Sequence, residues 1–355
     1  MTSNEDLDKA VRDGIISAEQ AEKLRGLNAA KLNPAEPAPS PDEERFRILG
    51  GFNDIFVTIG LFLLIGALYS FSSVFQSYLG FAALSAAMAW ILSEVFARKL
   101  RLALPSIILS QMFAFSICVA LISYFYNDYD SWLSNLFENG SGGKIIILIS
   151  LVSAAAAALH LWRFRVPIDG SIIAFFLIGA FLGLLALVFG GRFITDHYNG
   201  IFFIGGLATF IAAMWLDISD RLRVTRRADM AFWLHLLAAP MLIHPVVALA
   251  FGGELRYTEF SATQAVIMLI GFAVLSLFAL VIDRRAILVS ALIYAGFAIF
   301  YLIDKTASAD LTPPITLIVL AAVVLSLSAG WRVLRNKTVN GLPIGNLRNY
   351  IPPTN

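Results

Sequence analysis

The sequence is poor in what a water-soluble protein needs. Only 14% of its residues are charged, against about 25% in soluble chains. With 58% hydrophobic residues, 28 phenylalanines and a mean hydropathy of +0.76, this deficit excludes a soluble globular enzyme, a nucleic-acid binder and a disordered chain. Its single cysteine, Cys118, is too few for an intrachain disulfide or a cysteine-based metal cluster. Met1–Arg47 lacks the basic start and apolar core of a secretory signal, so no cleavage is expected. Missing too are a phosphate-binding Gly-rich loop, a His-Glu-x-x-His, a Gly-x-Ser-x-Gly and any paired carboxylates within the apolar runs. No enzyme, cofactor, metal or nucleic-acid partner is therefore expected.

What is present is a series of apolar segments near the ~20 residues that cross ~30 Å of hydrocarbon. They lie at about 55–74, 79–97, 105–126, 145–162, 171–189, 200–216, 231–251, 262–282, 286–303 and 313–331. The fold expected is an all-α, ten-helix polytopic membrane bundle over 51–335, embedded in the lipid bilayer, with a cytoplasmic tail over 336–355. Only Asp283, Arg284 and Arg285 separate the eighth and ninth segments, which requires a tight hairpin.

Ahead of the bundle, residues 1–30 read as a small soluble helical hairpin, and residues 31–50 as a stiff linker with Pro34, Pro37, Pro39 and Pro41. The first helix stops at Gly14. The second begins at Ser17 with Gln20 three residues on, a capping box. The apolar stripe of Leu7, Val11, Ile15, Ile16 and Leu24 is too small to hold the hairpin together alone, so it is expected to dock on a protein partner or on the C-terminal tail.

Orientation follows from the basic residues. Alternate loops and the tail carry Arg98, Lys99, Arg101, Arg163, Arg165, Arg221, Arg223, Arg226, Arg227, Arg284, Arg285, Arg332, Arg335, Lys337 and Arg348, whereas the opposite loops carry only Lys144, Arg192, Arg256 and Lys305. Both termini are thus expected in the cytoplasm, with Trp162, Trp215, Trp233 and Trp331 at cytoplasmic helix ends. Arg101, Arg165, Arg227 and Arg285 each precede an outward-running helix, spaced 64, 62 and 58 residues apart. That spacing suits either a duplicated hairpin or a regular bundle.

Few ionisable residues lie in or at the rim of the apolar segments, where a charge costs roughly 2.5–3.5 kcal/mol to insert. Glu94, one turn before Arg98, suits a snorkelling ion pair or a cytoplasm-facing proton or cation site. His160 lies near Arg163 at an interface. His235 and His244, nine residues apart on one segment, face opposite sides and cannot share a metal. Pro240 and Pro245 interrupt that segment, and a broken seventh helix with a polar side chain is one way to build a transport site. Gly179 with Gly183, and Ala291 with Ala295, mark close helix packing within the chain.

The Leu7…Gly14-Ile15-Ile16-Ser17-x-x-Gln20-Ala21-x-x-Leu24 hairpin, the linker, and the entry Gly51-Phe-Asn-Asp-Ile-Phe-Val-Thr-Ile-Gly60 resemble the bacterial predicted-membrane-protein family called domain of unknown function 2157. The resemblance covers about residues 5–70 in detail and is architectural beyond. It implies a bacterial inner membrane and transfers no catalytic residue. Two functions fit the sequence. One is a scaffold or sensor whose hairpin binds a partner. The other is a permease or proton-coupled transporter using His244, His235 and Glu94 around the Pro-broken helix. Nothing in the sequence fixes the oligomeric state.

Overall fold

The computed structural model describes residues 12–15, 17–21, 51–75, 77–126, 142–220, 223–250, 261–343 and 351–352. It divides into two units, Met1–Glu44 with Asn355, and Arg45–Thr354. In the first unit the capping box forms: the Gln20 amide donates to Ser17 Oγ at 3.2 Å, and the Ser17 amide to Gln20 Oε1 at 2.9 Å. Gly14 turns the chain at φ +70°, and Ile15 is 74% exposed. The other docking residues proposed from the sequence, Leu7, Val11, Ile16 and Leu24, lie outside the described residues.

Among the described residues of the second unit, ten helices are long and apolar enough to cross a membrane. They are α1 (Phe52–Phe75), α2 (Tyr78–Ser93, continued by a π-helical turn Glu94–Lys99), α3 (Ala103–Phe125), α4 (Gly142–Phe164), α5 (Asp169–Phe189), α6 (Gly191–Ser219), α7 (Arg226–Ala250), α8 (Ala262–Ile282), α9 (Ala286–Asp304) and α10 (Thr312–Gly341). No strand occurs among the described residues. One core cluster joins α3, α4 and α5 through Ala114, Ala157, Phe164, Ile172 and Phe176. Another joins α8, α9 and α10 through Ala279, Ile282, Ile287 and Trp331. Leu61, Leu68, Ala89 and Leu109 form a further buried cluster of α1, α2 and α3, whereas most apolar side chains of α10 are exposed, as lipid contact requires.

Small residues set the closest approaches, because lipid supplies no hydrophobic force between helices. A Cβ on Gly143 would lie 2.7 Å from the Leu187 amide nitrogen and 2.8 Å from the Gly183 carbonyl, and one on Gly183 would lie 2.9 Å from the Ile147 nitrogen. Gly179 faces Ser150. The Gly179/Gly183 pair therefore packs α5 on α4 inside the chain. Ala291 and Ala295 are buried, Ala291 against Ala239 and Ile243 of α7.

Three expectations are corrected. The tenth helix does not stop at residue 331. It continues to Gly341 because Trp331, Arg335 and Val339, one turn apart, are all buried, and Arg335 Nη2 donates to the Pro352 carbonyl at 2.7 Å. The stretch between the expected segments 171–189 and 200–216 is also helical: Gly190 at φ +86° makes the turn alone, and α6 runs 29 residues, about 44 Å at 1.5 Å per residue. Finally, α7 is not broken. It passes without interruption through Pro240 and Pro245. At that level α6 lies backbone to backbone against it, with a Cβ on Gly206 only 2.8 Å from Met241 Cβ. The helix thus continues through both prolines while packed closely on α6 at Met241.

The hairpin over Asp283–Arg285 forms as expected. Four non-glycine residues adopt left-handed backbone, Arg101 (φ 53°), Arg165 (φ 58°), Arg223 (φ 53°) and Asp283 (φ 56°). Each lies in the connection between one helix and the next, at spacings of 64, 58 and 60 residues. The recurring mark is this left-handed residue, and it falls at Arg223 and Asp283 where the basic pattern pointed to Arg227 and Arg285.

Candidate functional site

The turns between α6 and α7 and between α8 and α9 are tied together by buried charge. Asp217 accepts from Arg284 Nε at 3.0 Å and Nη2, and from His235 Nε2 at 2.9 Å. Arg284 Nη2 also donates to the Ala228 carbonyl at 3.2 Å. His235 Nδ1 has no hydrogen-bond partner, which favours the neutral ring with its proton on Nε2. Beside this group, Asp283 accepts from Arg223 Nη1 at 2.7 Å and from Trp331 Nε1 at 2.7 Å, while Arg285 lies 5.0 Å over the Trp331 ring. Trp331, 3% exposed, is therefore not an interfacial belt residue. Trp162 (76%) and Trp215 (70%) have the expected exposure. His235 is a locked partner of Asp217, a residue that the sequence analysis did not single out.

Across α4 and α5 a second buried group forms. His160 Nδ1 contacts Asp169 Oδ2 at 2.8 Å, and His160 Nε2 contacts Ser93 Oγ at 3.2 Å. Ser110 donates to Asp169 Oδ1. A Ser-His-Asp constellation thus exists although no motif in the sequence announces it, because residues 67 and 9 positions apart meet only in the fold. The proton accounting is wrong for nucleophilic catalysis. The Ser93 hydroxyl gives its one proton to the Ala89 carbonyl at 2.7 Å, so it accepts from His160 and does not surrender a proton to it. Ser93, His160 and Asp169 are all 0% exposed, packed by Trp90, Phe113 and Phe164.

Glu94 bridges Arg98 Nη1 (3.0 Å) and Arg163 Nη2 (2.7 Å). The i,i+4 pair expected from the sequence is present, with a second arginine from α4. These arginines border a cavity of about 650 Å³ at the basic end. It is lined by Arg98 in the π turn that ends α2 and Arg101 beyond it, by Arg163 at the end of α4 and Arg165 beyond it, and by Arg226, Asp229 and Trp233 of α7.

His244 accompanies a different space. Its Nδ1 lies 2.9 Å from the Tyr294 hydroxyl of α9. Both line an almost wholly apolar cavity of about 600 Å³, with Pro240, Met241, Cys118, Phe175 and Phe176. His244 and Pro240 are together as the sequence suggested; His235 and Glu94 belong to two separate groups, with Asp217 and with Arg98 and Arg163. Among the described residues no cluster of three or more His, Cys, Asp or Glu is placed to hold a metal ion.

No family model, curated protein or solved structure matches this chain.

Proposed function

We propose that the protein is a scaffold or sensor, placed in a bacterial inner membrane as its N-terminal resemblance to domain of unknown function 2157 implies. Both termini lie in the cytoplasm, and the N-terminal hairpin recruits a protein partner. One observation supports this over ion-coupled transport. The carboxylates Glu94, Asp169, Asp217 and Asp283 are each engaged by cationic or hydrogen-bonding groups of the chain itself. A coupling carboxylate must exchange its proton or cation during each cycle. Full-length protein reconstituted in vesicles with a pH dye inside should move no protons under an imposed gradient. Asp217→Asn should lower stability without creating or removing flux. A proton flux abolished by Asp217→Asn would overturn the scaffold.

The apolar cavity beside Pro240 favours a second reading, a permease for an apolar solute. In a Cys118→Ala background, His244→Cys should resist a small water-soluble thiol reagent in the native bundle and react after denaturation. Labelling in the native state would establish a water-filled route and favour the permease.

A further inference from the structure

We infer that the arginine-lined cavity at the basic end binds the phosphate headgroup of an acidic phospholipid. Five arginines, Arg98, Arg101, Arg163, Arg165 and Arg226, line it, supplied where α2 meets α3, where α4 meets α5 and where α7 begins. Against them stand Asp229 in the lining and Glu94 behind Arg98 and Arg163. That leaves an excess of three positive charges, more than the local carboxylates neutralise. Guanidinium forks match phosphate oxygens in pairs, and basic cavities between membrane helices at their cytoplasmic ends suit lipid headgroups.

The rest of the lining chooses a lipid over a free anion. Ala97, Leu102, Ile107, Phe164 and Val166 make much of the wall apolar. From its rim, exposed apolar side chains continue down two helices: Val95 and Ile91 along α2, and Trp162 and Leu159 along α4. These pairs fall on one face of each helix, three to four residues apart, and give acyl chains a continuous track. An inorganic anion would use the arginines and leave this track idle. The site does not depend on whether the bundle scaffolds or transports.

The test uses delipidated full-length protein in detergent, titrated with dioleoyl phosphatidylglycerol, dioleoyl phosphatidylcholine or inorganic phosphate and read by native mass spectrometry. Phosphatidylglycerol should bind more tightly than phosphatidylcholine, and millimolar phosphate should not displace it. Replacing Arg101, Arg165 and Arg226 by Gln together should weaken phosphatidylglycerol binding about 100-fold at low salt, and each replacement alone about fivefold. The single variants carry the test if the triple variant fails to fold. Arg192→Gln with Lys305→Gln, at the other end of the bundle, should change nothing. Equal binding of the two lipids, or undiminished binding by the folded arginine variants, would overturn the site. Displacement by phosphate would reassign it to a soluble anion and reject the lipid.

Discussion

Arg284 shows how differently a residue reads in the sequence and in the fold. In the sequence it is one of many basic residues at a turn. In the structure it is 2% exposed and neutralised by Asp217. Breaking a buried pair strands the remaining charge and typically costs about 3–5 kcal/mol, whereas replacing both partners by apolar groups recovers much of that loss. Arg284→Met should therefore destabilise the protein strongly in denaturant titration in mixed micelles, and Arg284→Met with Asp217→Leu should be distinctly more stable than Arg284→Met alone. Equal stability of Arg284→Met and wild type would show that the pair contributes nothing. Ser93 makes a second prediction. Because its proton is committed to Ala89 and no solvent reaches it, a fluorophosphonate probe should not label it in the folded protein. Labelling that disappears in Ser93→Ala would make the constellation with His160 and Asp169 catalytic.

At the scale of elements, steric contact decides what glycine does. Gly143 and Gly183 meet the facing helix backbone, so Gly143→Ala and Gly183→Ala should each cost about 1–3 kcal/mol by overpacking. Nothing lies within 4 Å of a Cβ placed on Gly60 or Gly271; Gly60→Ala and Gly271→Ala should leave stability unchanged or raise it, since alanine is the better helix former. Thermal melts of the four variants separate the two classes. If all four behave alike, close packing of α4 on α5 is refuted. The left-handed residues obey a related logic. A side chain in that conformation costs roughly 1–2 kcal/mol, yet it recurs at Arg101, Arg165, Arg223 and Asp283. At Asp283 the compensation is visible in the hydrogen bonds from Arg223 and Trp331.

For the whole molecule, the arginine cavity and the Arg223–Asp283 pair bring together four turns that the charge alternation assigns to one side. This clustering supports the proposed sidedness. In a Cys118→Ala background, Ser308→Cys, exposed between α9 and α10, should react with a membrane-impermeant maleimide in intact spheroplasts. Lys337→Cys, exposed on the projecting end of α10, should not. The reverse pattern would invert the topology and relocate the lipid site to the outer face.

Hydropathy alone determined that ten helices would form and roughly where, because burying ~20 apolar residues in hydrocarbon outweighs every local preference. The capping box at Ser17, the Glu94–Arg98 pair and the Gly179/Gly183 contact were legible for the same reason: each partner lies within a turn or two, or on a face that periodicity reveals. Helix ends were less legible, since Trp331, Arg335 and Val339 extend α10 only because tertiary neighbours bury them. The polar groups were decided by the fold alone. Asp217 finds Arg284, and Ser93 finds His160, each across 67 residues of chain. A carboxylate or hydroxyl carries no local sign of which distant partner will satisfy it, and only the packing of helices in low dielectric makes that partner obligatory.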